Sequence, residues 1–179
     1  MHEEDGLTKA QSRIERLNAS TPDEAAAELL KCCGSSLWAQ RMSAELPFQD
    51  ERDLLRHADR LWWKLERADW LEAFRSHPKI GEQRAAEVVS EEARRWSQQE
   101  QQAASGATPQ TLQALAAANV AYEAKFGYIF IVCATGRSAA EMLALLERRL
   151  TNDPETEICV AAEEQRRITR LRLQKLLDR

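Results

Sequence analysis

Three ionisable residues, His77, Glu100 and Arg172, stand where a surface role explains them poorly. His77 lies in FRSHPKIGEQR, directly before Pro78 and at the end of an apolar helical pattern. A residue before proline is pushed out of the helical region, so His77 is expected as the last residue of its helix. There the imidazole sits at the negative end of a helix dipole and can point into whatever the next loop encloses. That place suits a proton-transfer group, and it suits an ordinary capping histidine equally well.

Glu100 and Arg172 are charges on apolar faces. At about 100° per residue, Ala93, Trp96, Ala103 and Ala104 share one side of a helix, and Glu100 completes the stripe. Ser97 and Gln101 border it as a polar edge. In the final helix, Ile158, Ala161, Ile168 and Leu171 set the apolar side, Arg172 projects near its middle, and Arg166, Arg167 and Arg170 fall on the outer side. A buried carboxylate or guanidinium costs several kcal/mol unless paired and hydrogen-bonded. One reading pairs Glu100 with Arg172, or rotates either charge into solvent; on wheel geometry alone it stands ahead. The other is a polar pocket in which a Glu and a His share proton transfer and an Arg clamps a substrate anion. The carboxylate would then fix the imidazole tautomer and raise its affinity for a proton.

Helices must position these residues. Helical periodicity dominates and no stretch alternates as a strand, so the class is all-α. STPDEAAAELLKCCGS opens with hydroxyl residues and Pro22 and closes on Gly34, the expected start and stop signals. A short helix over SLWAQRM follows, then two helices broken near Ala68 and Asp69, the second stopping at His77. A charged, Gln-rich helix is expected from about Arg84 to Ala104, and another begins at Thr108 and Pro109. IFIVCATG, bounded by Gly127 and Gly136, reads as a buried short helix or turn. RSAAEMLALLERRL and a long helix from about Glu155 complete the chain.

The chain has 179 residues, enough for one domain, 1–179, with 1–12 as a loose tail. No apolar run approaches the roughly 18 residues of a membrane span, and no secretory leader is visible, so a cytoplasmic location is the default expectation. Net charge is −4 with basic and acidic residues intermixed, which argues against a nucleic-acid partner. Cys32, Cys33, Cys133 and Cys159 are expected as buried, reduced thiols. Three histidines without HExxH or His/Cys spacing make a metal site unexpected. Trp38, Trp62, Trp63 and Trp70 read as packing residues, and His57 as a solvated or packing histidine.

Several motifs then fall in register. HPKIG after DWLEAFRS, SQQEQ, YEAKFGYIFIVCATGRS, LLERRLTNDPETE and ITRLRL occur in the order and spacing that the chain shares with the OHCU decarboxylase family, over roughly Leu17 to Leu177. CCGSSLW is similar to the bacterial branch of that family. The resemblance implies an all-α fold of about eight helices, a homodimer, no metal or organic cofactor, and decarboxylation of 2-oxo-4-hydroxy-4-carboxy-5-ureidoimidazoline to (S)-allantoin in urate breakdown. It implies that His77 and Glu100 are catalytic, and that Pro78, Ser97, Gln101, Phe130, Ile131, Val132 and Arg172 bind substrate. Ile129 stands where the family often carries Pro, restoring a backbone N–H before Phe130. Two other classes share these residues. An all-α protein-interaction module would use the Trp-rich helices as a groove, and a hydrolase or isomerase on a related ureide would use the same three charges.

Overall fold

The computed structural model describes residues 11, 13–79, 90–100 and 107–178. Among them run nine helices: α1 (13–19), α2 (Pro22–Cys33), α3 (Ser36–Ser43), α4 (Glu51–Trp62), α5 (Arg67–Arg75), α6 (Glu91–Glu100), α7 (Pro109–Phe126), α8 (Ala139–Arg149) and α9 (Pro154–Leu177). None of the described residues lies in a strand beyond an isolated bridge at Pro78. The all-α class expected from periodicity is therefore found. Of the expected loose tail only residue 11 is described, and it is helical; the helix expected from about Arg84 instead starts at Glu91, because Ser90 caps it, while 84–89 and 101–104 fall outside the described residues.

Local chemistry sets most boundaries. Thr21 caps α2 in a reciprocal box with Glu24, Pro22 fills the first turn, and Gly34 ends the helix in the left-handed region at φ 83. Thr108 with Pro109 starts α7, and Gly127 stops it at φ 80. Ser138 and Glu141 repeat the box at α8.

Three boundaries differ from expectation. The break expected near Ala68 and Asp69 falls earlier, because the Asp69 carboxylate accepts the Glu66 N–H at 3.0 Å and so starts α5. Helix α5 ends at Arg75, not His77, and its last turn tightens: the Ser76 N–H donates to the Ala73 carbonyl and the His77 N–H to the Phe74 carbonyl, each at 3.2 Å. The run Ile129–Ala134 is buried or half-buried as expected, but it is neither helix nor turn; it is an irregular connection whose polar backbone is met by side chains.

The chain divides into two compact units, one of Met1–Glu72 with Arg166–Arg179 and one of Ala73–Gln165. In the first, α2 packs on α3, and the Trp38 indole donates to the Ala58 carbonyl of α4 at 3.1 Å. Arg166 and Arg170, expected on an outer face, are half-buried there and share the Asp59 carboxylate at 2.8 and 2.7 Å. In the second unit α7 packs on α8 around the aromatic cluster of Phe74, Tyr122, Phe126, Tyr128 and Phe130. No helix among the described residues is long and apolar enough to cross a membrane.

Of the cysteines, Cys32 and Cys33 are buried, but Cys133 is half-buried and Cys159 exposed, because α9 turns position 159 to solvent while Ile158, Ala161 and Ala162 face inward. Leu171 is likewise only half-buried. Trp38 and Trp62 are core residues, whereas Trp63 is exposed. His57 packs edge-on to Phe48 and faces Glu45 at 3.0 Å and Asp53 at 3.4 Å, as a packing histidine does.

Candidate active site

The second unit gathers most of the residues with chemical potential. Helix α6 turns Ala93, Trp96, Ser97 and Glu100 inward, the stripe that the wheel anticipates. Ser90 starts the helix by accepting the Ala93 N–H at 3.1 Å, and Ser97 returns its hydroxyl to the Ala93 carbonyl at 3.1 Å. Glu100 is only 8% exposed, so a carboxylate does sit on the buried face. Gln101, Ala103 and Ala104 lie outside the described residues.

His77 is also 8% exposed, and Pro78 after it is half-buried. The turn that carries them is held at both ends. Before it, Phe74 is fully buried and meets Tyr128 with ring centroids 5.4 Å apart. After it, the Lys79 ammonium lies 2.7 Å from the Glu123 carboxylate of α7.

Phe130, Ile131 and Val132 are buried in the irregular connection. It has no ladder partner, so its polar groups need others. Arg149 donates to the Ile131 carbonyl at 2.7 Å, Glu164 accepts the Cys133 N–H at 2.8 Å, and Arg137 donates to the Cys133 carbonyl at 3.1 Å. Burial first, and then the carboxylates of Glu164 and Glu100, push the Cys133 thiol above its ordinary range. Glu100 thus acts electrostatically on Cys133, next to Val132, and Phe74, three residues before His77, meets Tyr128, two residues before Phe130.

Arg172 belongs to the first unit. It is 1% exposed, as its place on the apolar side of α9 requires, and its charge lowers the buried thiols of Cys32 and Cys33 against the larger upward effect of burial. Among the described residues, no three His, Cys, Asp or Glu side chains come together as metal ligands.

The sequence reading passed over a buried charge cluster. Arg149 is 5% exposed and Glu157 not at all. The Arg149 Nε donates to Glu157 Oε1 at 2.7 Å, Tyr122 donates its hydroxyl to the same oxygen, and Asn152 donates to Oε2 at 2.7 Å. The wheel that exposed Glu100 finds Arg149 too, since Ala139, Met142, Leu146 and Arg149 form one buried row of α8.

Comparison with known proteins identifies the family. The sequence model of the family described as OHCU decarboxylase matches residues 18–174. The Arabidopsis thaliana protein named uric acid degradation bifunctional protein TTL is 42% identical over 147 residues, which is 82% of this chain and 45% of that protein. The 2-oxo-4-hydroxy-4-carboxy-5-ureidoimidazoline decarboxylase of Amia calva is 38% identical over 60 residues, 34% of either chain. The chain spans less than half the length of these curated relatives. A crystal structure of OHCU decarboxylase in the presence of (S)-allantoin superposes with a TM-score of 0.74 at 39% identity, covering 86% of this chain and 99% of that one. An (S)-allantoin synthase structure shares the fold at 20% identity and a TM-score of 0.68, over 91% of this chain and 53% of that one.

Proposed function

Because the chain belongs to the OHCU decarboxylase family over residues 18–174, we propose that it decarboxylates 2-oxo-4-hydroxy-4-carboxy-5-ureidoimidazoline to (S)-allantoin in urate breakdown. The observation that carries the proposal is the burial of His77 and Glu100, 8% exposed each, in the unit that also holds Phe130–Val132. An unreactive core has little reason to keep a carboxylate on a buried helix face, given its desolvation cost.

The reaction needs no external electron sink. When the C–C bond to the carboxylate breaks, its electron pair forms a double bond to the neighbouring ring carbon, and the pair of the adjoining C=N moves onto nitrogen, which takes a proton. The hydroxyl on the decarboxylated carbon then loses its proton as a carbonyl forms, and the neighbouring carbon is protonated. CO2 is the only fragment released. Holding the scissile bond perpendicular to the conjugated plane does much of the work. In this proposal Arg172, Ser97 and Gln101 with Pro78 and Phe130–Val132 hold the ring, while His77 and Glu100 manage the protons. Protonation from one face gives one enantiomer, where the uncatalysed reaction gives a racemate.

The same reading makes the protein a cytoplasmic, cofactor-independent homodimer acting on a small ureide, without nucleic-acid or membrane partners. The test generates the substrate in place from urate with urate oxidase and hydroxyisourate hydrolase, adds this protein, and follows circular dichroism of the product. Rapid appearance of optical activity, absent with His77→Asn, supports the proposal. A trace equal to the slow racemic background overturns it.

A further inference from the structure

One guanidinium holds two residues of the Phe130–Val132 segment expected to touch substrate. Arg149 Nη1 donates to the Ile131 carbonyl at 2.7 Å, and the same guanidinium lies over the Phe130 ring, 4.6 Å from its centroid. Its Nε and Nη2 donors are engaged as well. Nε lies 2.7 Å and Nη2 2.6 Å from Glu157 Oε1, and Nη2 also reaches the Tyr122 hydroxyl at 3.3 Å. Tyr122 in turn meets the Phe130 ring edge-on at 5.3 Å. Glu157 is saturated by Asn152 on its other oxygen. A planar fork held this way has one orientation, and a lysine cannot reproduce it.

The cluster serves an irregular segment that lacks regular backbone pairing. Side chains alone hold Ile131 and Cys133 in place, and Arg149 is the one that touches both backbone and ring of the expected contact surface. A buried ion pair kept only for stability is poor value, since apolar replacements often stabilise as well. We propose that Arg149 is a positioning residue, locked by Glu157 and Tyr122, that presents the Phe130–Val132 segment to the substrate. The inference rests on the decarboxylase reading for its substrate, but its geometry is independent of that reading.

The experiment compares wild type with Arg149→Lys, Tyr122→Phe and a control, Lys125→Met. Lys125 donates to the carbonyls of Leu150 and Asn152 at 2.6 and 2.8 Å, so the control loosens the turn after α8 while leaving in place the contacts of Arg149 to the Ile131 carbonyl and the Phe130 ring. Two readouts are taken below the unfolding transition of every variant: steady-state kinetics on the substrate made in place, and hydrogen exchange of peptides spanning 128–134 without substrate. Arg149→Lys is expected to raise KM roughly 10- to 100-fold with a smaller loss of kcat, as a displaced binding surface does. Tyr122→Phe should shift KM in the same direction but several-fold less. Both should accelerate exchange at 128–134, and Lys125→Met should do neither.

Unchanged KM and unchanged exchange in Arg149→Lys overturn the inference, even if its melting temperature falls. A KM shift matched by Lys125→Met overturns it too, because general loosening then suffices. If the wild type itself fails to decarboxylate, the functional reading fails, and the exchange of 128–134 alone decides the positioning role. Unaltered exchange in that case rejects it, and selective acceleration upholds the mechanical part.

Discussion

The rings of Phe74 and Tyr128 lie 5.4 Å apart with their planes at 44°, and through this contact the turn carrying His77 is referenced to the segment carrying Phe130. Phe74 is fully buried and Tyr128 nearly so. Phe74→Leu keeps an apolar side chain but loses the ring pairing, at a cost of roughly 1 to 2 kcal/mol in unfolding free energy. If the contact also aligns the site, kcat should fall several-fold in urea-free buffer where the variant is fully folded. A lowered urea midpoint with unaltered kcat would show that the ring pair supports the fold alone.

His77 and Glu100 should behave as one unit. Glu100→Gln keeps size while removing the carboxylate, and His77→Asn removes the imidazole while keeping a polar group near Nδ1; each is expected to lower kcat by about 10² to 10⁴. The double variant should be little worse than the poorer single, because groups acting in one proton path are not additive. Independent, multiplying losses would place the two residues in separate roles.

The helix frame and two buried charges could be read from the chain because both depend on local or periodic rules. Pro22, Gly34, Pro109 and Gly127 act within one turn of themselves, and Glu100 and Arg172 stand out against 3.6-residue stripes. The start of α5 was harder, since Asp69 can end one helix or begin the next, and only the bond from the Glu66 N–H decides. The segment 129–134 was harder still. Its apolar run suggests buried helix, but the groups that keep it irregular, Arg149, Glu164 and Arg137, come from 4 to 31 residues away in the sequence. Arg149 obeys the same periodic rule, standing in the buried row of Ala139, Met142 and Leu146. The substrate contacts proposed at Pro78, Ser97 and Phe130–Val132 rest on family resemblance, because nothing in burial or spacing marks a ligand's outline.

Arg172 offers a sharper distinction between binding and scaffolding. Its guanidinium is buried beside Cys32 and Cys33, so it has a structural environment as well as a proposed anion to hold. Arg172→Lys preserves the charge but not the planar fork, and KM is expected to rise about tenfold or more while kcat changes less. An unaltered KM would assign the residue to the fold. Arg172→Met is the companion measurement: it should lose substrate binding at least as severely, yet remain folded by far-ultraviolet circular dichroism.

Alkaline stability should report on the two buried thiols in the last turn of α2. Burial, only partly offset by Arg172, pushes both Cys32 and Cys33 up to about 12 from the ordinary value of 9.0. Between these values the unfolded chain has released protons that the folded chain still holds, so unfolding gains and stability falls as pH rises. The contribution is intact below pH 9 and declines above it, with a slope limited to about 1.4 kcal/mol per pH unit for each thiol. Tyr122 is raised by burial as well, but its unfolded phenol titrates from 10.0, so the interval from pH 9 to 10 belongs chiefly to thiols, with a smaller share from half-buried Cys133. Urea midpoints at pH 8.0, 9.0 and 9.8 should therefore decline in wild type and decline less in the Cys32→Ala, Cys33→Ala double variant. Equal slopes in the two proteins would reject the assignment. A thiol reagent supplies the cross-check: at pH 8, exposed Cys159 should react at once and Cys133 slowly, while Cys32 and Cys33 should become reactive only in denaturant.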